Sequence, residues 1–157
     1  MKPFAVDLPH PRRPLLEVVP RSAPRPRPAV EPVPGRRYQD LTITLEWCGR
    51  TLVVAADGDV DLNTAPMLRD ALEAARNRAP RRIIADLSRV RFLNSAGLAV
   101  LIDAHRRSGP GTGLRLVATT RATWRPLRLV QDRERLVIHS SREAAVAASS
   151  RPEGGAR

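Results

Sequence analysis

The chain has 157 residues and a formal net charge of +11, and because Lys2 is its one lysine the basicity is almost all arginine. That length suits one domain of ordinary size; the single cysteine, Cys48, excludes an intrachain disulfide, and no apolar run approaches the roughly twenty residues of a membrane span. The Leu15-Leu16 and Val18-Val19 pairs are split by Glu17 and fenced by prolines, unlike a signal peptide, so a soluble cytoplasmic protein with no membrane contact is expected.

Residues 1–37 form a chain of a different kind. Ten of the fifteen prolines lie between Pro3 and Pro34, interleaved with arginines. Proline removes backbone donors and drives its predecessor toward extended geometry, so a disordered, partly polyproline-like tail is expected. Through Asp40 this segment carries eight basic and four acidic residues, a net +4, which leaves +7 for the remainder. Arginine density of this order favours anionic partners. The aromatics that would stack on bases are few, however, so no direct nucleic-acid partner is expected, the arginine-rich tail being the one route by which it could be held.

Residues 38–149 are expected to form the folded domain, with 150–157 fraying. Strict alternation in Leu41-Thr42-Ile43-Thr44-Leu45-Glu46-Trp47 predicts a half-buried strand. Cys48-Gly49-Arg50 makes a turn, and Thr51–Ala56 returns as the second arm of a hairpin. Asp57-Gly58-Asp59-Val60-Asp61 then places three carboxylates at alternating positions. A calcium loop would need a glycine at its sixth position and a glutamate at its twelfth, and both are missing. Asn63 or Thr64 caps a helix with Pro66 in its first turn and Met67, Leu68, Ala71, Leu72 and Ala75 as its apolar stripe.

Ala79-Pro80-Arg81 ends that helix. Ile83–Leu87 reads as a buried strand, Asn94-Ser95-Ala96-Gly97 as a tight turn, and Leu98, Leu101 and Ile102 as the apolar spacing of a second helix. Ser108–Gly113 is glycine-rich but lacks a phosphate loop's Gly-Lys-Ser/Thr ending and precedes a strand, Leu114–Ala118. Thr123 caps a helix from Trp124 to Val130, Leu136–Ile138 is extended, and Ser140 with Glu143 has capping-box spacing ahead of an alanine-rich last helix. The expected fold is α/β: one mixed sheet of four to five strands with about four helices packed on it.

Catalytic chemistry needs convergent groups, and the sequence does not assemble them. His10, His105 and His139 have no metal-ligand spacing, and Cys48 is isolated, so neither a metal nor a cofactor is expected. Ser95 lacks the Gly-x-Ser-x-Gly setting of a nucleophile elbow. An enzyme is therefore not expected. At about 100° per residue, Leu98, Leu101, Ile102 and His105 share one side of the central helix, and Ala96, Ala99, Val100, Asp103 and Arg107 share the other. The second face is small and open, with the Ser95 hydroxyl at its edge, and is read as a docking surface.

The stretch Asp86-Leu87-Ser88-x-Val90-x-Phe92-Leu93-Asn94-Ser95-Ala96-Gly97-Leu98 resembles the signature of STAS domains, in particular the bacterial anti-sigma factor antagonists. Gly58-Asp59-Val60-Asp61 is similar to the family's Gly-Glu-Ile-Asp, and Leu114–Val117 and Arg135–Ile138 fit its later strands. The resemblance implies a STAS fold and an anti-sigma factor partner that is also a serine kinase. It also implies phosphorylation at Ser95, with the unmodified form binding the partner and releasing a sigma factor. With the outward helix face and the neighbouring turn, the expected partner-binding set is Asp59, Asp61, Asn94, Ser95, Ala96, Gly97, Ala99, Val100 and Asp103. Asn94 departs from the common Asp before the serine, Asp59 replaces a Glu, and Gln131 stands where a turn glycine is common. The alternative is a STAS interaction module of another signalling or transport complex, without serine phosphorylation.

Overall fold

A computed structural model describes residues 16–19, 41–109 and 113–151. The alternating segment forms strand β2 (Leu41–Cys48), which buries Leu41, Ile43 and Leu45, and β3 (Thr51–Val60) runs back beside it. The turn is tighter than expected, because Cys48 stays in the strand and only Gly49 and Arg50 remain outside it. Gly49 has φ 64, a conformation glycine adopts without the steric cost of a Cβ. β3 also runs farther than its apolar half predicts, so Asp57 and Asp59 belong to the strand.

Helix α1 (Ala65–Asn77) buries Ala65, Leu68, Ala71, Leu72 and Ala75, close to the predicted stripe. β4 (Arg82–Leu93), α2 (Ser95–Arg107), β5 (Leu114–Val117), α3 (Arg121–Glu134), β6 (Val137–His139) and α4 (Arg142–Ser150) complete the order. The strands lie in sequence order across the sheet; β2–β3 is the antiparallel pair and the other pairings are parallel. Each parallel step after β3 crosses over through one helix, and α1, α2 and α3 pack on the same face around Leu45, Leu52, Val54, Leu87 and Leu116. Helix α4 covers the opposite face, where Ala145 meets Val53, Ile84 and Val117.

Three local expectations change. Leu16–Val19 forms β1, paired in parallel with β2 from Leu16 beside Ile43, which adds a sixth strand at the edge of the five expected for the domain. This run is free of proline between Pro14 and Pro20, and the outer edge of β2 offers unpaired backbone groups to it. The rest of the Pro/Arg-rich segment and residues 152–157 lie outside the described residues. Second, the N-cap of α3 is Thr120, not Thr123, and the helix continues past Val130 to Glu134, after which Arg135 takes the left-handed conformation at φ 56. Third, the cap of α4 is Ser141 rather than Ser140: its hydroxyl accepts from the Ala144 amide at 3.1 Å.

One charged cluster pins α4 to its face. The Arg142 Nε donates to Asp86 Oδ2 at 2.7 Å and its NH1 to Glu46 Oε2 at 3.0 Å, while the Ser88 amide donates to Asp86 Oδ1 at 3.0 Å. Asp86 is buried. Burial pushes its carboxyl up, but hydrogen bonds from Ser88 and the Arg142 guanidinium outweigh that, and its pKa lies below the ordinary carboxylate value.

Candidate functional site

The parallel register of β3 and β4 sets Asp59 beside Phe92 and Val60 beside Leu93, and the Asn94 amide donates to the Val60 carbonyl at 3.0 Å. The segment after β3 and the start of α2 therefore meet at one end of the sheet. Asp59, Asp61, Asn94 and Ser95 are brought together there, as the sequence implied.

Their roles divide. Asp61 Oδ1 accepts from the Asn63 and Thr64 amides, each at 2.9 Å, and from the Thr64 hydroxyl at 3.1 Å. The Thr64 hydroxyl also accepts from the Asp61 amide at 2.9 Å and bonds to the Asp59 carbonyl at 2.8 Å. Thr64 precedes α1 without capping its amides through its side chain. One Asp61 oxygen is thus spent on building the turn, and Asp61 is largely a loop organiser. Asp59 is partly exposed and lies 3.5 Å from the Arg91 guanidinium.

Asn94 is the N-cap of α2: its backbone is extended and its side-chain oxygen accepts from the Gly97 amide at 3.1 Å. The substitution of Asn for a more common Asp keeps this cap. Ser95 follows as the first helical residue, exposed to solvent. Its own amide and that of Ala96 belong to the first turn, where no i−4 carbonyl is available, so the hydroxyl stands at the positive end of the helix dipole.

Gly97 explains the seating of this turn. A Cβ built on it would lie 2.5 Å from Val60 Cγ1 and 2.7 Å from Leu93 Cδ1. The residue is buried because the helix start lies directly on the ends of β3 and β4. Gly97 is a spacer, and its side of the helix is closed to a partner.

The expected outward face of α2 is corrected by about a quarter turn. Val100 is 4% exposed and sits with Gly97 and Leu101 on the buried side. Ser95, Ala99, Asp103 and Arg106 are exposed, with Ala96, Leu98 and Ile102 half-buried. The reason is lateral packing: α1 lies against α2 near Val100, Asp103 and Ala104, across a narrow cleft lined also by Leu72 and Glu73. Asp103 is exposed but engaged by Arg107 at 3.1 Å. His105 is half-buried, as a core-edge residue.

Sequence reasoning missed the apolar groups around this end. Phe92 is 51% exposed, Leu62 74% and Leu129 86%. Phe92 and Leu93 line an open groove with Arg121, Ala122, Arg125, Pro126 and Leu129 of α3 and its start. Alternation in Arg89-Val90-Arg91-Phe92 would put Phe92 on the same side as Val90, so the sequence carried no signal of its exposure; the register shift opposite Gly58–Asp59 turns Phe92 outward and Leu93 inward.

Residues 43–137 match the family model described as Mlab, STAS domain. The anti-sigma-F factor antagonist RsfB of Mycobacterium tuberculosis is 31% identical over 90 residues, which is 57% of this chain and 74% of that protein. The crystal structure of an anti-sigma factor antagonist from Mycobacterium paratuberculosis shares 31% identity at a TM-score of 0.68, covering 73% of this chain and 98% of that one. The Bacillus anti-sigma factor antagonist SpoIIAA, solved in unphosphorylated and phosphorylated forms, has the same fold. In its unphosphorylated form the TM-score is 0.53 at 20% identity, over 68% of this chain and 96% of that one. Among the described residues no helix is long and apolar enough to cross a membrane, and no cluster of three or more His, Cys, Asp or Glu could hold a metal.

Proposed function

The chain belongs to the STAS domain family, and from that premise we propose that it is a cytoplasmic anti-sigma factor antagonist switched at Ser95. In this reading the partner is an anti-sigma factor that is also a serine kinase, and the chain itself is a binding protein, not an enzyme. It operates as one STAS domain over residues 38–149. The likeness to RsfB supports the partner class. The observation that carries the switch is the exposed Ser95 hydroxyl at the first position of α2.

Phosphorylation there adds about −1.5 to −2 charge and three acceptor oxygens. The domain tolerates this, because the helix start supplies amides and a favourable dipole for an anion. A partner packed on Ser95 and Ala99 would instead have to desolvate the new charge. A penalty of about 3 kcal/mol suffices for a loss of a hundredfold or more in affinity. The fold is kept and the partner is lost.

The test is incubation of the full chain with an anti-sigma factor kinase and ATP, followed by site mapping and binding measurements. Phosphate is expected on Ser95 and absent in Ser95→Ala, and Ser95→Glu is expected to bind at least a hundredfold more weakly than the parent. Equal binding by Ser95→Glu overturns the switch. Stable binding without any transfer of phosphate instead favours an interaction module that is not modified.

A further inference from the structure

The groove beside the switch carries charge with no internal partner. Its apolar floor is Phe92, Leu93, Ala122, Pro126 and Leu129, and Arg121 and Arg125 stand along it one helical turn apart. Among the described residues neither arginine has an ion-pair partner. This contrasts with the neighbouring Arg89 and Arg91, which lie 3.7 Å from Asp57 and 3.5 Å from Asp59. On α3 itself Arg128 is stacked 4.7 Å over the Trp124 ring. The guanidinium groups of Arg121 and Arg125 frame exposed apolar surface that begins at Phe92, three residues before Ser95 in the chain.

With the Ser95 end read as the partner-binding end, we infer that this groove docks an acidic amphipathic helix of the partner. Its apolar side chains lie on Phe92 and Leu129, and its carboxylates reach Arg121 and Arg125. Charge selects this occupant. The chain's own N-terminal segment carries a net +4 through Asp40, and a second copy of the domain would bring the same two arginines, so both are repelled. Concavity favours a helix over a flat lipid surface, since an amphipathic helix lays an apolar stripe into a groove. Docking at a surface that phosphorylation does not alter would separate partner choice, set at the groove, from the on–off state, set at Ser95.

The probes are synthetic helical peptides about 18 residues long, roughly five turns, with one leucine stripe and flanking glutamates or, as control, lysines. Backbone NMR of the full chain reports the site. The acidic peptide is expected to shift Phe92 and the amides of Arg121–Leu129, to bind at least tenfold more tightly than the lysine peptide, and to weaken as salt is raised. Leu129→Ser is expected to reduce binding about tenfold, a change of about 1.4 kcal/mol. Leu129 is so exposed that this substitution leaves the fold intact, as the spectrum of the free variant checks. The Arg121→Glu/Arg125→Glu variant is expected to reverse the preference and take the lysine peptide. Equal binding of both peptides, shifts elsewhere, or binding only to vesicles of 30:70 anionic to zwitterionic lipid overturns the groove assignment. Ser95→Glu separates the two readings. If the peptides fail while Ser95→Glu still releases the anti-sigma factor, the groove falls alone; if peptide docking holds while Ser95→Glu binds normally, the switch falls alone.

Discussion

Replacing Gly97 by alanine tests how the start of α2, and Ser95 with it, is held on the strand ends. The added Cβ would stand 2.5 Å from Val60 Cγ1 and 2.7 Å from Leu93 Cδ1. Neither neighbour can give way easily: Val60 is fully buried and stiff at χ1, and Leu93 is 6% exposed. Such overpacking costs about 1–3 kcal/mol. Alanine recovers up to about 1 kcal/mol of helix propensity over glycine. The net expectation is a destabilisation of about 1–2 kcal/mol, or a fall in Tm of roughly 5–10 °C for a domain of this size. Urea denaturation should show a lower midpoint with an unchanged slope. Val60→Ala removes the offending methyl, so in the double variant the two costs should fail to add by at least about 0.5 kcal/mol. A Gly97→Ala protein as stable as its parent, or additivity in the cycle, would refute the seating of α2 on the strand ends.

Other expectations follow from the same geometry. Because the folded pKa of Asp86 is depressed, its contribution to stability is full above the unfolded carboxylate pKa of about 3.9 and is lost as pH falls through the lower folded value. Unfolding midpoints measured from pH 7 downward should show a step below about pH 4 that Asp86→Asn removes. Arg142→Ala leaves that carboxylate buried without its cation and should cost about 3 kcal/mol by denaturant titration. Asn94→Ala should cost about 1 kcal/mol of stability through the lost cap, whereas Asn94→Asp keeps the cap and should gain about 0.3–1 kcal/mol from the helix dipole, both read by thermal melts. Arg135→Gly should raise the Tm, since a side chain held at φ 56 costs about 1–2 kcal/mol, part of which glycine returns as unfolded-state entropy.

Strand β2 and helix α1 were readable because each buries its large apolar residues on one side, so period 2 in Leu41–Trp47 and the stripe Leu68–Ala71–Leu72–Ala75 report burial directly. Helix α2 was legible as a helix but not in its orientation. Leu98, Val100, Leu101 and Ile102 spread apolar character round most of its circumference, and the packing of α1 against its flank, a long-range fact, chose Val100 as an inward residue. Asp61 was recognised as belonging to the site end, yet its service to the Asn63 and Thr64 amides was overlooked, although Asp-x-x-Thr spacing is itself a turn signal. The Arg142–Asp86–Glu46 cluster joins residues far apart in sequence, for which no local pattern exists. β1 was hidden by the prolines around it: four of the five residues between them pair because β2 offers an edge, not because their own composition demands a strand.

Helix α4 has a consequence for how the protein is made. It follows every strand among the described residues, and during synthesis the sheet face bearing Val53, Ile84 and Val117 waits uncovered until residues 142–150 have left the ribosome. Until then Asp86 has no Arg142 to meet its charge. A nascent chain stalled before α4 therefore offers an apolar sheet face beside an acid without its cation, the kind of transiently exposed surface that favours aggregation.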